Sequence, residues 1–212
     1  MRRSLNEIEV ALRKAAVGAG LPFGQAEDIG EAGAWLCAHG HDGIGACLAA
    51  LGGSRPEAAA AIRLDGTSTV PEARVAWTGP SALDLLLADE ELAEIAFTGI
   101  DAPLLLAGCA GVAAAAGGTC FDLRFPTGCT VSIGPGGLAV SGPLPPAGAD
   151  AVLTRRGHAG SRPRTPQTSP AEGAEVGEAA WVEVLALAAL TYVPASEASR
   201  ATGAGAGDID ND

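Results

Sequence analysis

The chain has 212 residues, of which 48% are hydrophobic, 18% charged and 4% aromatic, which fits one domain with a core of Ala, Leu, Val and Ile and excludes a disordered chain. A formal net charge of −12 argues against binding nucleic acid or an anionic membrane, because both kinds of binding rest on Lys and Arg neutralising phosphates. The 30 glycines and 14 prolines make it rich in turn residues without making it low-complexity.

The first third reads as helices. Ser4-Leu5-Asn6-Glu7 is a capping box, in which the Ser hydroxyl accepts from the Glu7 N–H and the Glu carboxylate reaches back. Leu5, Ile8, Leu12, Ala15, Ala16 and Ala19 follow at helical spacing, and Gly18 and Gly20 end the run. A second helix is predicted from about Gln25 to His39. A third covers roughly Ile44 to Leu51, and Pro56 to Arg63 looks helical again.

The middle changes character. Thr67 to Trp77 and Glu94 to Thr98 are strand-like in content, with a helix over Ser81 to Leu87 between them, capped by Ser81 with Asp84 as its box partner. The uncharged Ala/Gly stretch between Asp101 and Asp122 reads as a buried helix or strand–helix element rather than a membrane span, because Ala and Gly gain little on transfer to lipid. Cys120 to Phe125 alternates as a half-buried strand does. Cys129 to Ile133 and Leu138 to Ser141 flank Gly134-Pro135-Gly136-Gly137, a hairpin signal, and Ala149 to Thr154 adds a further strand. Glu178 to Tyr192 is almost apolar all round, so a buried helix stopped by Pro194 is expected. The fold class is therefore α+β: an N-terminal helical layer, a mostly antiparallel sheet with a hairpin, and a buried C-terminal helix. Residues 1–154 form the core, 155–177 a flexible linker, and 178–212 a helix and Gly/Asp-rich tail packing on the same core.

The five cysteines form no C-x-x-C pair, and Glu7 and Glu9 fall where a signal peptide would be apolar. The expectation is reduced, buried thiols in a cytoplasmic protein. Common catalytic signatures are missing: no glycine loop precedes Lys14, and neither H-E-x-x-H nor G-x-S-x-G occurs. The run Gly203-Ala-Gly205-Ala-Gly207 follows a helix and opens none, which excludes a dinucleotide fingerprint.

Two clusters carry chemistry. Cys37-Ala-His39-Gly-His41-Asp42 holds the densest reactive side chains of the N-terminal half, and His39, His41 and Asp42 are catalytic candidates. Its plain alternative is a helix C-terminus with Gly40 in the left-handed position and His41-Asp42 as a polar turn. The second cluster follows the last helix. Ser196, Ser199 and Arg200 with Gly203, Gly205 and Gly207 offer hydroxyls, a guanidinium fork and open backbone N–H groups to an anion, and Glu197 is a further catalytic candidate. The alternative there is a solvated chain end. Asp208, Asp210 and Asp212 echo half a calcium loop but lack its Gly and Glu, so no metal is expected. Arg155, Arg156, His158, Arg162 and Arg164 form a basic tract that reads as a solvated loop or a gathering point for an anionic partner.

Three stretches resemble an uncharacterised bacterial family, domain-of-unknown-function family 3726. They are the opening S-L-N-E-I-E with the later A-G-L-P-F-G-Q-A-E-D, the central T-G-P-S-A-L-D, and the closing T-Y-V-P-A-S-E-A-S-R-A-T-G-A-G-A-G-D-I-D-N-D. That resemblance implies a stand-alone bacterial protein and no particular activity. The first fifty residues, with Ala26-Glu27 and Gly40 to Gly43, are also similar to the N-terminal helices of type-2 malate/lactate dehydrogenases, where a following S-H-G supplies the catalytic histidine. Here Gly43-Ile44-Gly45 stands in that place, and His41 is the nearest histidine. The leading expectation is a protein that binds or processes a small organic anion, with its cofactor unknown and a homo-oligomer or partner protein open. A non-catalytic interaction subunit and a relative of nicotinamide-dependent 2-hydroxy-acid dehydrogenases are the two alternatives.

Overall fold

A computed structural model describes residues 1–53, 63–64, 68–157 and 173–192. The first helix, α1 (Leu5–Gly18), starts where its capping box dictates: Glu7 N–H donates to Ser4 Oγ at 3.2 Å, and Ser4 N–H donates to Glu7 Oε2 at 2.9 Å. Helices α2 (Phe23–Ala38) and α3 (Gly43–Leu51) follow within a residue or two of the periodicity. Of the helical stretch expected at 56–63, residues 56–62 lie outside the described residues. Arg63 is instead in a strand, β2 (Arg63–Leu64), antiparallel to β3 (Ser68–Val70).

The strand expected over Thr67 to Trp77 is shorter than its composition suggests. Val75, Ala76 and Trp77 form the first turn of α4 (Val75–Ala88), which places Ser81 and Asp84 in the helix interior rather than at a cap. The helix starts at Val75 because the Val75 N–H, an orphan donor at a helix start, donates to Asp101 Oδ1 at 2.9 Å. Sequence reading had no means of locating a cap supplied from that far along the chain.

Strand β4 (Glu94–Ile100), helix α5 (Pro103–Gly117), and strands β5 (Cys120–Arg124), β6 (Thr130–Gly134), β7 (Gly137–Ser141) and β8 (Ala149–Arg156) complete the central part. The seven-stranded sheet runs β2-β3-β4-β8-β5-β6-β7. Among the described residues, only β3 and β4 pair in parallel, joined by α4 as a crossover, and the remaining neighbours are antiparallel. The mostly antiparallel sheet and the β6–β7 hairpin are as expected.

Alternation along the strands turns Ile95, Phe97, Phe121, Leu123, Val131, Ile133, Ala151 and Leu153 to one face, and all are buried. Helices α4 and α5 cover that face; α2 and α3 pack on the far side of α5, with α1 against α2. Two short strands, β1 (Arg2–Arg3) and β9 (Ala174–Glu175), pair antiparallel as a separate ribbon.

The last helix, α6 (Glu178–Ala189), packs on α1 and α3. It meets the core through Trp181, Val184 and Ala188. Val182, Leu185 and Leu190 are 60%, 47% and 68% exposed, so one face of this apolar helix is covered and the other is not. Ordered pairing also enters both ends of the stretch expected as linker. Strand β8 continues through Arg156, and Arg155 donates to the carbonyls of Leu86 and Glu90 at 2.9 and 2.8 Å. Residues 158–172, including His158, Arg162 and Arg164, lie outside the described residues. All five cysteines are free and buried. Among the described residues, no helix is long and apolar enough to cross a membrane.

Candidate functional site

The reactive cluster of the N-terminal half sits on a turn whose shape its own residues explain. Helix α2 ends at His39, and Gly40 takes a left-handed φ of +78°, which glycine adopts without steric cost. Gly40 N–H then donates to Cys37 O at 3.2 Å and His41 N–H to Leu36 O at 2.9 Å, the paired bonds of a Schellman motif. Asp42 caps the next helix directly, its Oδ1 accepting from Gly45 N–H at 2.8 Å. A Cβ on Gly43 would overlap the Gly33 carbonyl, so two glycines let α3 start hard against α2. The plain helix-end reading is therefore correct as local structure.

That turn also forms one wall of a cavity of about 470 Å³, lined by Arg2, Cys37, Gly40, His41, Asp42, Ile44 and residues 173–176. The opposite wall is the β1–β9 ribbon. It is held by the Met1 ammonium, which donates to Val176 O at 2.9 Å and lies 3.7 Å from Glu175 Oε2, and by the Val176 N–H, which donates to Met1 O at 2.8 Å. Arg2 and the 173–176 segment were not among the expected site residues. A two-residue pairing across the length of the chain leaves no periodicity to detect.

The polar groups of this wall have different partners. His41 is half-buried, and its Nε2 is shielded from solvent with no hydrogen-bond partner. Burial, and then the neighbouring His39, lower its pKa below the ordinary 6.5, so the ring is neutral at pH 7. His39 is 3% exposed and lies behind the wall rather than on it. Its Nδ1 meets the Trp35 carbonyl at 2.8 Å and must carry the hydrogen there, while Nε2 is buried and unpartnered. Burial pushes the Cys37 thiol up, against the pull of the Gly43 and Ile44 backbone N–H groups on its sulfur, so it is a protonated thiol at neutral pH and not a poised nucleophile. Among the described residues, no three His, Cys, Asp or Glu side chains are placed to hold a metal ion.

The structure thus brings His41 and Asp42 to one cavity with Cys37 and Arg2, and puts His39 behind them. Glu197, Ser196, Ser199, Arg200, Gly203, Gly205 and Gly207 lie outside the described residues. A second, more apolar groove of about 380 Å³ runs between α2, α4 and α5, lined by Leu83, Leu87, Cys109, Val112, Asp28 and Asp84 among others. It contains none of the expected site residues. Its Cys109 thiol is pushed up to about 12 by burial.

No curated protein matches this sequence at a significant level. Among solved structures, the chain is similar to the crystal structure of malate dehydrogenase from Entamoeba histolytica, at 14% identity and a TM-score of 0.45, over 73% of this chain and 49% of that one. It spans about half the length of that structure's chain. The central motif, Thr78 to Asp84, and the closing motif from Thr191 onward lie outside the family match. Residues 3–75, from the end of β1 to the first residue of α4, match the model of the family described as Protein of unknown function (DUF3726), so the resemblance drawn from the sequence holds over that stretch.

Proposed function

We propose that the protein binds a small organic acid that also carries a hydroxyl or amino group, in the cavity between the α2–α3 turn and the β1–β9 ribbon. The observation that carries this reading is His41, which lines a 470 Å³ space and whose Nε2 is buried and unpartnered. A polar atom left so costs about 1–3 kcal/mol, and a ligand that supplies its partner recovers that cost.

The charges on the wall favour a ligand with both an anionic and a donor end. Arg2 lines the same wall, and a guanidinium binds a carboxylate in a planar, two-pronged geometry. The carboxylates of Asp42 and Glu175 accept from a hydroxyl or ammonium group. A simple dianion would meet those two acids and be disfavoured. The reading concerns binding; the raised Cys37 thiol gives no support to nucleophilic chemistry.

The test is a thermal-shift and titration screen of short hydroxy acids, amino acids and plain dicarboxylates. A ligand at 100 times its dissociation constant adds about 2.7 kcal/mol, roughly 5–10 °C for a chain of this size. A hydroxy or amino acid is expected to give such a shift in the wild type and none in Arg2→Ala or His41→Ala. If no compound shifts the melting temperature, or if the shift survives both substitutions, the site assignment is wrong.

A further inference from the structure

The outer face of α6 is the least explained surface of the molecule. Glu178, Val182, Leu185 and Ala189 recur at i, i+4, i+7 and i+11, which aligns them in one stripe. Val182 and Leu185 are 60% and 47% exposed, and Ala186 and Ala189 beside them are exposed too. Among the described residues, four of the eight large hydrophobic side chains that stand exposed (Val182, Leu185, Leu190 and Tyr192) belong to α6 or the turn that ends it. An apolar face of this kind marks an interaction site more often than a solvated one.

The rest of the chain has little with which to cover it. Residues 54–62, 65–67, 158–172 and 193–212 together hold only three large aliphatic side chains, Ile62, Val193 and Ile209, and no aromatic. No amphipathic segment is left over in that composition. That composition supplies little apolar cover for the stripe, and the charges around it point to the kind of surface that fits. Glu178 stands at its N-terminal end. At its C-terminal end the Lys14 Nζ lies 5.7 Å from the centre of the Tyr192 ring, and Lys14 is exposed. The stripe is thus acidic at one end, apolar in the middle and basic at the other, with the exposed Glu183 on its flank, and its two charged ends are complementary under a two-fold rotation.

We propose that the protein pairs with a second copy of itself through this face, the two α6 helices running antiparallel. Val182 of each copy packs on Leu185 of the other, and Glu178 of each approaches Lys14 of the other. Ala186 and Ala189 let the helix axes come close. A helix of 12 residues is about 18 Å long, so the contact lies at the small end of specific interfaces. The dimer is reversible, with dissociation in the micromolar range. The cavity wall includes residues 173–176, just before α6 begins, but the pairing does not depend on a ligand bound there.

The experiment is sedimentation of the full chain from about 1 to about 200 µM, concentrations that bracket a micromolar equilibrium. The mass is expected to rise from 20.9 kDa towards twice that value, and Leu185→Glu is expected to hold it at the monomer value with an unchanged circular dichroism spectrum. Lys14→Glu and Glu178→Lys alter exposed side chains and each should weaken the dimer by about tenfold, because the symmetry repeats the changed contact twice. The two together should restore it to near the wild-type constant. A chain that stays at 20.9 kDa throughout, a dimer that survives Leu185→Glu, or a double variant no tighter than the singles would overturn the proposal.

Discussion

Helices α5 and α6 read alike and end differently. Both are nearly apolar round their whole circumference, and neither carries a basic residue in its last turn. In α5 the side chains from Leu105 to Gly111 are all buried, because the helix lies between the sheet on one side and α2, α3 and α4 on the others. Gly108 and Gly111 thin it where Leu36 and Trp35 of α2 press in. Among the described residues, helix α6 has α1 and α3 beneath it and no element above, and only its Trp181, Val184 and Ala188 are buried. Apolar composition states that a helix needs cover. Its place in the layers decides whether its own chain provides it.

Leucine truncation breaks this comparison most sharply. Leu106→Ala, at a fully buried site in α5, should cost about 2–5 kcal/mol through lost transfer energy and an unfilled cavity. Leu185→Ala, at 47% exposure in α6, should stay within about 0.5 kcal/mol. Urea denaturation at a dilution where the chain is monomeric measures both. Equal losses would mean that α6 is as enclosed as α5.

Overpacking probes the same contrast from the other direction. A Cβ at Gly111 would come within 2.5 Å of the Trp35 ring, so Gly111→Ala should cost about 1–3 kcal/mol despite the better helix propensity of alanine. The corresponding change on the open face of α6, Ala186→Leu, should be close to neutral in the monomer.

The smallest effect concerns the candidate site. His41 is held neutral in the folded state by burial and by His39, so its folded pKa lies below the unfolded 6.5. As pH falls past 6.5 the unfolded chain takes up the proton first, and stability is lost. His41→Gln should therefore lose less stability than the wild type between neutral pH and pH 5. Asp101, whose carboxyl is raised by burial, pulls the other way, but equally in both proteins. Parallel pH profiles for the two would show that His41 is solvated and that its orphaned nitrogen is no guide to a ligand.

Much of the fold was legible because it rests on local chemistry. The Ser4 capping box, the Gly40 helix end, the alternation of β5 and the glycine turn between β6 and β7 are each written in a few adjacent residues. The start of α4 was not, because its cap is Asp101 from beyond β4. The candidate site was half legible. His41 and Asp42 stood out as a dense reactive turn, whereas Arg2 and Val176 join it only through the β1–β9 ribbon, which closes across nearly the whole chain. The hydroxyl and glycine cluster from Ser196 onward stands out by composition, and the described residues stop short of it.

By itself the sequence determined the α+β class, the order and ends of most helices, the hairpin and the buried free thiols, since capping, period and turn chemistry act over four or five residues. Only the tertiary structure decided which apolar helix is enclosed, which face of α6 faces water, and which polar groups share a cavity. Those depend on what packs from elsewhere in the chain, and a residue's own neighbours in sequence carry no record of it.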